Sequence, residues 1–209
     1  MTKKDNPKKS FDELFEKFIK TINIPAQNTK QLFSIGLIGL TGSGKSTIAK
    51  MIGEKLNLFV GSNDSIRRFL NDEGFPGESP DQEMLQKIAE KASKFLYENK
   101  ISHIIDADLI KFYENAKENA QSHKAKFYLI FVKCPEEIIF KRLKERNEKI
   151  LKNPASNLSR VGKEEYLKRK KLHDELGLPE DIFFTIDNSE NLPKQVDDLA
   201  IKLTEEKVL

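Results

Sequence analysis

Gly39-Leu40-Thr41-Gly42-Ser43-Gly44-Lys45-Ser46, followed by Thr47, satisfies the spacing G-x-x-x-x-G-K-[S/T]. Glycines let a backbone turn with its N–H groups facing inward on phosphate oxygens, and a helix that begins there adds the positive end of its dipole. At these positions Lys45 reaches the β- and γ-phosphates and the Ser46 hydroxyl ligates Mg²⁺. The flanks supply the context such a loop needs: an apolar run over 33–38 leads in, and an amphipathic pattern over 47–56 leads out. A dinucleotide site does not fit, because the order G-x-G-x-x-G is absent and Lys45 would have no role. The expected ligands are ATP and Mg²⁺.

Three further groups have types and spacings suited to work on a phosphate. Asp64 and Arg67 follow the second apolar run and open a helix; three residues apart, they share one face and can reach a single substrate. Asp106 ends the third apolar run, where an acidic group beside a phosphate loop orients Mg²⁺ through water; Asp108 competes for that role. Arg142 and Arg146, four apart, lead into a segment, 141–171, that carries twelve basic and four acidic side chains. Arginines on a lid over the phosphates neutralise charge that develops on a transferred group. The mobile part of such a lid is expected near 147–161, around Asn153, Pro154, Ser156 and Gly162, with Arg160 as a secondary lid arginine, while Arg68 is secondary to Arg67. Cys134 reads as packing at a strand end, and His103, His123 and His173 are too scattered to form a metal site.

Positioning these groups takes a scaffold, and the pattern describes one. Apolar runs at 33–38, 58–61, 101–107, 127–133 and 182–187 alternate with helical stripes at 47–56, about 109–122, about 135–151, roughly 162–176 and from Pro193 onward. Ser10 and Glu13 form a capping box ahead of Phe11, Leu14, Phe15 and Phe18, and Pro25 ends that helix; Ser79, Pro80 and Gln82 signal another helix start. Strands alternating with helices make a parallel sheet covered on both faces, which binds ligands beyond the C-terminal ends of its strands.

Composition narrows the class. The 209 residues are 38% hydrophobic and 33% charged with a net charge of +3, too balanced for a dedicated nucleic-acid binder. One cysteine forbids an intrachain disulfide, and no run approaches the roughly 20 apolar residues of a membrane helix. The polar start, MTKKDNPKK, points to the cytoplasm. No Asn-Lys-x-Asp stretch reads a guanine base, and motor, helicase and transporter ATPases need longer chains or partner subunits.

A compact phosphate-loop domain with a basic segment after its fourth strand resembles the phosphate-loop kinases of small hydroxylated molecules, especially adenylylsulfate (APS) kinase. Polynucleotide-kinase-like and zeta-toxin-like proteins are more distant. The likeness spans about 33–203. It rests on Gly39 to Thr47, on Asp64-Ser-Ile-Arg67 and Leu70-Asn-Asp-Glu-Gly74-Phe75, on Ile88-Ala-Glu90, on Phe131-Val-Lys-Cys-Pro-Glu136, on Arg142 and Arg146, and on Ile186-Asp-Asn-Ser-Glu190. The resemblance implies an α/β fold: a five-stranded parallel sheet in order 2-3-1-4-5 with a mobile lid. It implies that Asp64 orients or deprotonates the accepting hydroxyl and that Arg67 grips the acceptor. The chain departs from APS kinases where they hold their anionic nucleotide. The matching stretch, Asp81-Gln-Glu-Met-Leu-Gln-Lys87, has other or acidic residues in place of their Arg, Asn and second Arg, and Lys111-Phe-Tyr-Glu114 carries Glu in place of Arg, which inverts a phosphate contact.

The expectation is a helical extension over 1–32 and a kinase domain over 33–209. It transfers the γ-phosphate of ATP to a hydroxyl of a small molecule that is weakly charged rather than bisanionic. Two rival readings are a polynucleotide 5′-hydroxyl kinase, against which the small net charge weighs, and a non-catalytic ATP-binding regulatory module. The protein is expected to be a monomer, or a homodimer joined through the Phe-rich first helix.

Overall fold

β1 (Phe33–Ile38) is buried at all six positions, and its period of two feeds both faces of a sheet. Phe33, Ile35 and Leu37 point one way, into a cluster with Ile48 and Ile52 of α2 (Lys45–Leu56) and Leu199 and Leu203 of α8 (Leu192–Glu205). Ser34, Gly36 and Ile38 point the other way. Gly36 is needed there, because a Cβ would stand 2.5 Å from the Phe127 ring and 2.6 Å from Leu109.

The computed structural model describes residues 10–75, 82–152 and 161–209. The remaining elements are α1 (Phe11–Thr21), β2 (Phe59–Ser62), α3 (Asn63–Asp72), α4 (Gln82–Glu98), β3 (His103–Asp106), α5 (Tyr113–Ser122), β4 (Lys126–Lys133), α6 (Glu136–Lys152), α7 (Lys163–Leu176) and β5 (Ile182–Asp187). The strands form one parallel sheet in the order β2-β3-β1-β4-β5, as expected. Their C-terminal ends, among them Ile38, Ser62 and Asp106, therefore share one edge of the sheet.

α1 carries its expected capping box and buries Leu14 and Phe18 against Ile66 and Leu70 of α3 and Leu85 and Ile88 of α4. Two elements are shorter than their sequence pattern. The third strand starts at His103 rather than 101, because the side-chain amide of Gln27 occupies both the N–H and the C=O of Ser102. The helix expected from about 109 starts at Tyr113: Leu109 donates its N–H to Leu37 C=O at 3.0 Å, so 109–112 extends the edge of the sheet as a turn. Ser79, Pro80, Asn153, Pro154, Ser156 and Arg160 lie outside the described residues.

Candidate active site

The phosphate loop is built by two left-handed glycines. Gly42 (φ 87°) and Gly44 (φ 96°) adopt a conformation that costs any other residue strain, and Gly44 caps α2 with no side-chain hydrogen bond. The first-turn amides of α2 thus remain available to an anion. Ser43 is buried, yet its hydroxyl has no partner among the described residues. An orphaned buried hydroxyl costs free energy unless something occupies the cradle in front of it.

The loop is held from behind. Asn188, just past β5, donates its side-chain amide to Ser43 C=O, and Arg142 of α6 donates to the same carbonyl at 3.4 Å. Arg142 also donates to Asn188 Oδ1 at 3.3 Å and lies 3.6 Å from the Cys134 thiol. Leu40 packs among Ile139 and Leu143 of α6.

Lys45 Nζ is folded onto its own loop, donating to the carbonyls of Gly39 and, at 3.1 Å, Leu40. Burial lowers its pKa; the charges of Asp108 and Asp106 oppose that, and Arg169 adds to it. Ser46 Oγ donates to Asp106 Oδ1 at 3.0 Å, so of the two acids at the end of β3 it is Asp106 that stands beside the loop hydroxyl. The Asp106 carboxyl titrates above the usual range because it is buried, although the Ser46 bond and Lys45 pull it down and Asp64 pushes it up. Asp108 points elsewhere: Oδ1 accepts the Gly39 N–H at 3.4 Å, and Oδ2 lies 2.7 Å from His173 Nε2 of α7.

Asp64 sits in the first turn of α3, whose N-cap is Ser62, and makes an ion pair with Arg67 one turn on. Both line a cleft of about 350 Å³ with Thr41, Thr47, Lys45 and Ser46. Arg146 also faces it, with a buried Nε that has no partner among the described residues. Five basic and two acidic side chains line this cleft, a balance that calls for a polyanion.

Asp64, Arg67, Asp106, Arg142 and Arg146 thus share one cleft with the phosphate loop at the C-terminal edge of the sheet. Three further residues of this region were given no site role in the sequence: Asn188, His173 (set aside as a metal ligand) and Arg169, whose guanidinium donates to Thr41 Oγ1 at 2.9 Å. Asn188 lies in a stretch that carries the resemblance; Arg169 had no local signal beyond the basic run, and His173, just past it, had none. The orphaned Ser43 hydroxyl, the uncapped α2 and the Ser46–Asp106 pair fit a nucleoside triphosphate tail with Mg²⁺. Among the described residues no group of three or more His, Cys, Asp or Glu side chains is placed to hold a metal ion by itself. Nor is any helix among them long and apolar enough to cross a membrane.

Comparison with known proteins bears on the family and the fold. A family described as an AAA domain matches residues 35–161. An adenylyl-sulfate kinase of Bacillus pumilus is 34% identical over 130 residues, 59% of this chain and 62% of that enzyme's length. A shikimate kinase of Caldicellulosiruptor bescii is 31% identical over 134 residues, 61% of this chain and 74% of its own. Among solved structures, the Mycobacterium tuberculosis APS kinase in complex with AMPPNP and APS superposes with a TM-score of 0.53 at 16% identity, covering 83% of this chain and 98% of its own. A putative kinase from Chloroflexus aurantiacus gives 0.62 at 14% identity, over 86% and 100%. The structures show the shared fold; the family match over more than half of the chain and the sequence relatives place the chain in the AAA domain family, as a phosphate-loop kinase domain.

Proposed function

We propose that this protein transfers the γ-phosphoryl group of ATP to a hydroxyl of a small molecule. The observation that carries the reading is the placement of Asp64, on α3, in the same cleft as Lys45 and close enough to Asp106 to raise that group's pKa. A carboxylate facing a triphosphate cradle is what an acceptor hydroxyl needs in order to be oriented and to lose its proton as it attacks.

In this reading the Gly39–Thr47 loop and Lys45 hold the phosphates, while Ser46 and Asp106 hold Mg²⁺. When bound, Mg²⁺ neutralises negative charge on the phosphate oxygens. Asp64 accepts the hydroxyl proton, and Arg67, paired with it, keeps the carboxylate aimed and contacts the acceptor. Arg146 meets the transferring group from α6. Arg142 keeps the loop in shape through Ser43 and Asn188 as well as adding its charge.

The relatives named adenylyl-sulfate kinase and shikimate kinase frame the acceptor as a small hydroxyl compound. Glu114, exposed on α5 where APS kinases carry Arg, argues against APS itself. The test is an ATP-consumption screen over sugars, cyclic polyol acids, nucleosides and APS, with Lys45→Met as background. Transfer to a hydroxyl compound other than APS, above that background, supports the reading. Robust APS phosphorylation overturns the acceptor class, and no competition between Mg·ATP and a fluorescent ATP analogue overturns the kinase.

A further inference from the structure

Two side chains of α7, Arg169 and His173, reach the phosphate loop from a helix that packs on α6 through Tyr166 and Phe140. They are four residues apart, so one face of α7 presents both. Arg169 enters at the third residue of the loop: its Nη1 donates to Thr41 Oγ1 at 2.9 Å and its Nε to Glu165 Oε1 at 2.8 Å, one turn earlier. His173 enters at the first residue through a relay: its Nε2 lies 2.7 Å from Asp108 Oδ2, and Asp108 Oδ1 accepts the Gly39 N–H. The relay is well shielded, with the His173 side chain 9% exposed and that of Asp108 19%.

The donor count separates the arginines. Both Nη atoms of Arg142 are committed, to Ser43 C=O, Cys134 Sγ and Asn188 Oδ1. Arg169 uses two of its five N–H donors, and the other three have no protein partner among the described residues. Arg169 itself lines the phosphate cleft. The ion pair with Glu165 is exposed and spans one helical turn, an arrangement worth little by itself.

Building on the phosphate-cleft reading above, we propose that Arg169 is a further phosphate-binding residue, and that the His173–Asp108 pair is the positioning device that seats α7 so that Arg169 reaches the bound triphosphate. α7 is then a second clamp on the loop, supplying a guanidinium fork at Thr41 while α6 supplies Arg146.

Calorimetric titration of the full chain with Mg·ATP and Mg·ADP tests this. Arg169→Ala is expected to weaken ATP about tenfold or more, the scale of a lost charge-assisted hydrogen bond, and ADP by less. His173→Ala should approach the same loss, whereas His173→Gln, whose side-chain N–H can still donate to Asp108, should retain most of the affinity. The double variant Arg169→Ala/His173→Ala should bind no more weakly than Arg169→Ala, because His173 acts through Arg169; a merely structural histidine would give multiplied losses. Should His173→Ala fail to fold, His173→Gln and Arg169→Lys still decide: lysine keeps the charge without the fork and should bind ATP more weakly than wild type. Wild-type affinity in Arg169→Ala, with binding lost in Lys45→Met, overturns this proposal alone. Multiplied losses in the double variant overturn the positioning role. Absence of ATP binding by the wild-type chain overturns the underlying phosphate-cleft reading instead.

Discussion

The side-chain amide of Asn188 stands where a Cβ on Gly44 would lie: an ideal Cβ falls 1.9 Å from Asn188 Nδ2. That nitrogen donates to Ser43 C=O, and Asn188 Oδ1 accepts from Arg142, so the glycine makes room for a tie between β5, α6 and the phosphate loop. Gly44 is required twice, once for φ 96° and once for space.

Gly44→Ala is therefore expected to cost more than backbone strain. Gly74 provides the control: its φ is 90°, and no heavy atom of the described residues lies within 4 Å of the position a methyl would take there. Gly74→Ala should lose about 1–3 kcal/mol from the left-handed conformation alone. Gly44→Ala should lose more and also lose Mg·ATP binding, as Asn188 and Arg142 are displaced. Chemical denaturation and calorimetry measure both; equal stability losses would show that the Asn188 contact contributes nothing.

Lys45→Met separates function from stability. The ammonium is buried and its pKa lies below the ordinary 10.5, so the native state bears a desolvation cost whenever the group is charged. The folded chain binds this proton more weakly than the unfolded chain, so this residue's contribution to stability falls as pH drops from the unfolded pKa to the folded one. Removing the charge should leave the melting temperature at neutral pH equal to or above that of wild type, while turnover vanishes. A large drop in melting temperature would mean that Lys45 is chiefly a structural brace for the Gly39 and Leu40 carbonyls.

His103 makes a prediction about acid. It is buried in β3 with its ring 4.7 Å from Tyr97, its Nδ1 3.1 Å from Ile101 C=O and its Nε2 without a partner among the described residues. Burial pushes its pKa down to about 4 from an ordinary 6.5. Between those values the unfolded chain binds more protons than the folded one, so stability is lost as pH falls through this window. From pH 7 to pH 5 this one residue should cost on the order of 2 kcal/mol. Urea unfolding at both pH values should show that loss shrinking by the same amount in His103→Phe; identical pH slopes would remove His103 as the cause.

Much of this site is local in the chain and so could be read from it. The phosphate loop is nine consecutive residues with a glycine rhythm, and the strand that carries Asp106 ends on an acid. What escaped local reading is set by contacts across the sheet. Arg169 meets Thr41 from 128 residues away, and Asn188 meets Ser43 from 145. Helical periodicity tells which residues share a face of α7, but not that the face meets the phosphate loop. Charge counting marked 141–171 as basic without dividing its arginines into one that braces the loop and others that keep free donors. Residues 109–112 look helical by composition, yet the Leu109 N–H is claimed by Leu37 across the sheet edge, a tertiary partner that overrides a local preference.

Asp64 is the residue on which the kinase reading turns. Asp64→Asn keeps the size of the side chain and an oxygen for Arg67, and removes the ability to take a proton. Phosphoryl transfer should fall by about 10²–10⁴-fold, the usual contribution of a positioned general base, while Mg·ATP affinity stays within about twofold, since Lys45 and the loop are untouched. Arg67→Ala should act differently, raising the acceptor KM more than it lowers kcat, because the carboxylate survives but loses its ion-pair partner. If Asp64→Asn turned over at the wild-type rate, the proton would have to leave by another route. Asp106 is the only other carboxylate lining the cleft among the described residues, and it is already engaged with Ser46, so the assignment of a base in this cleft would have to be abandoned.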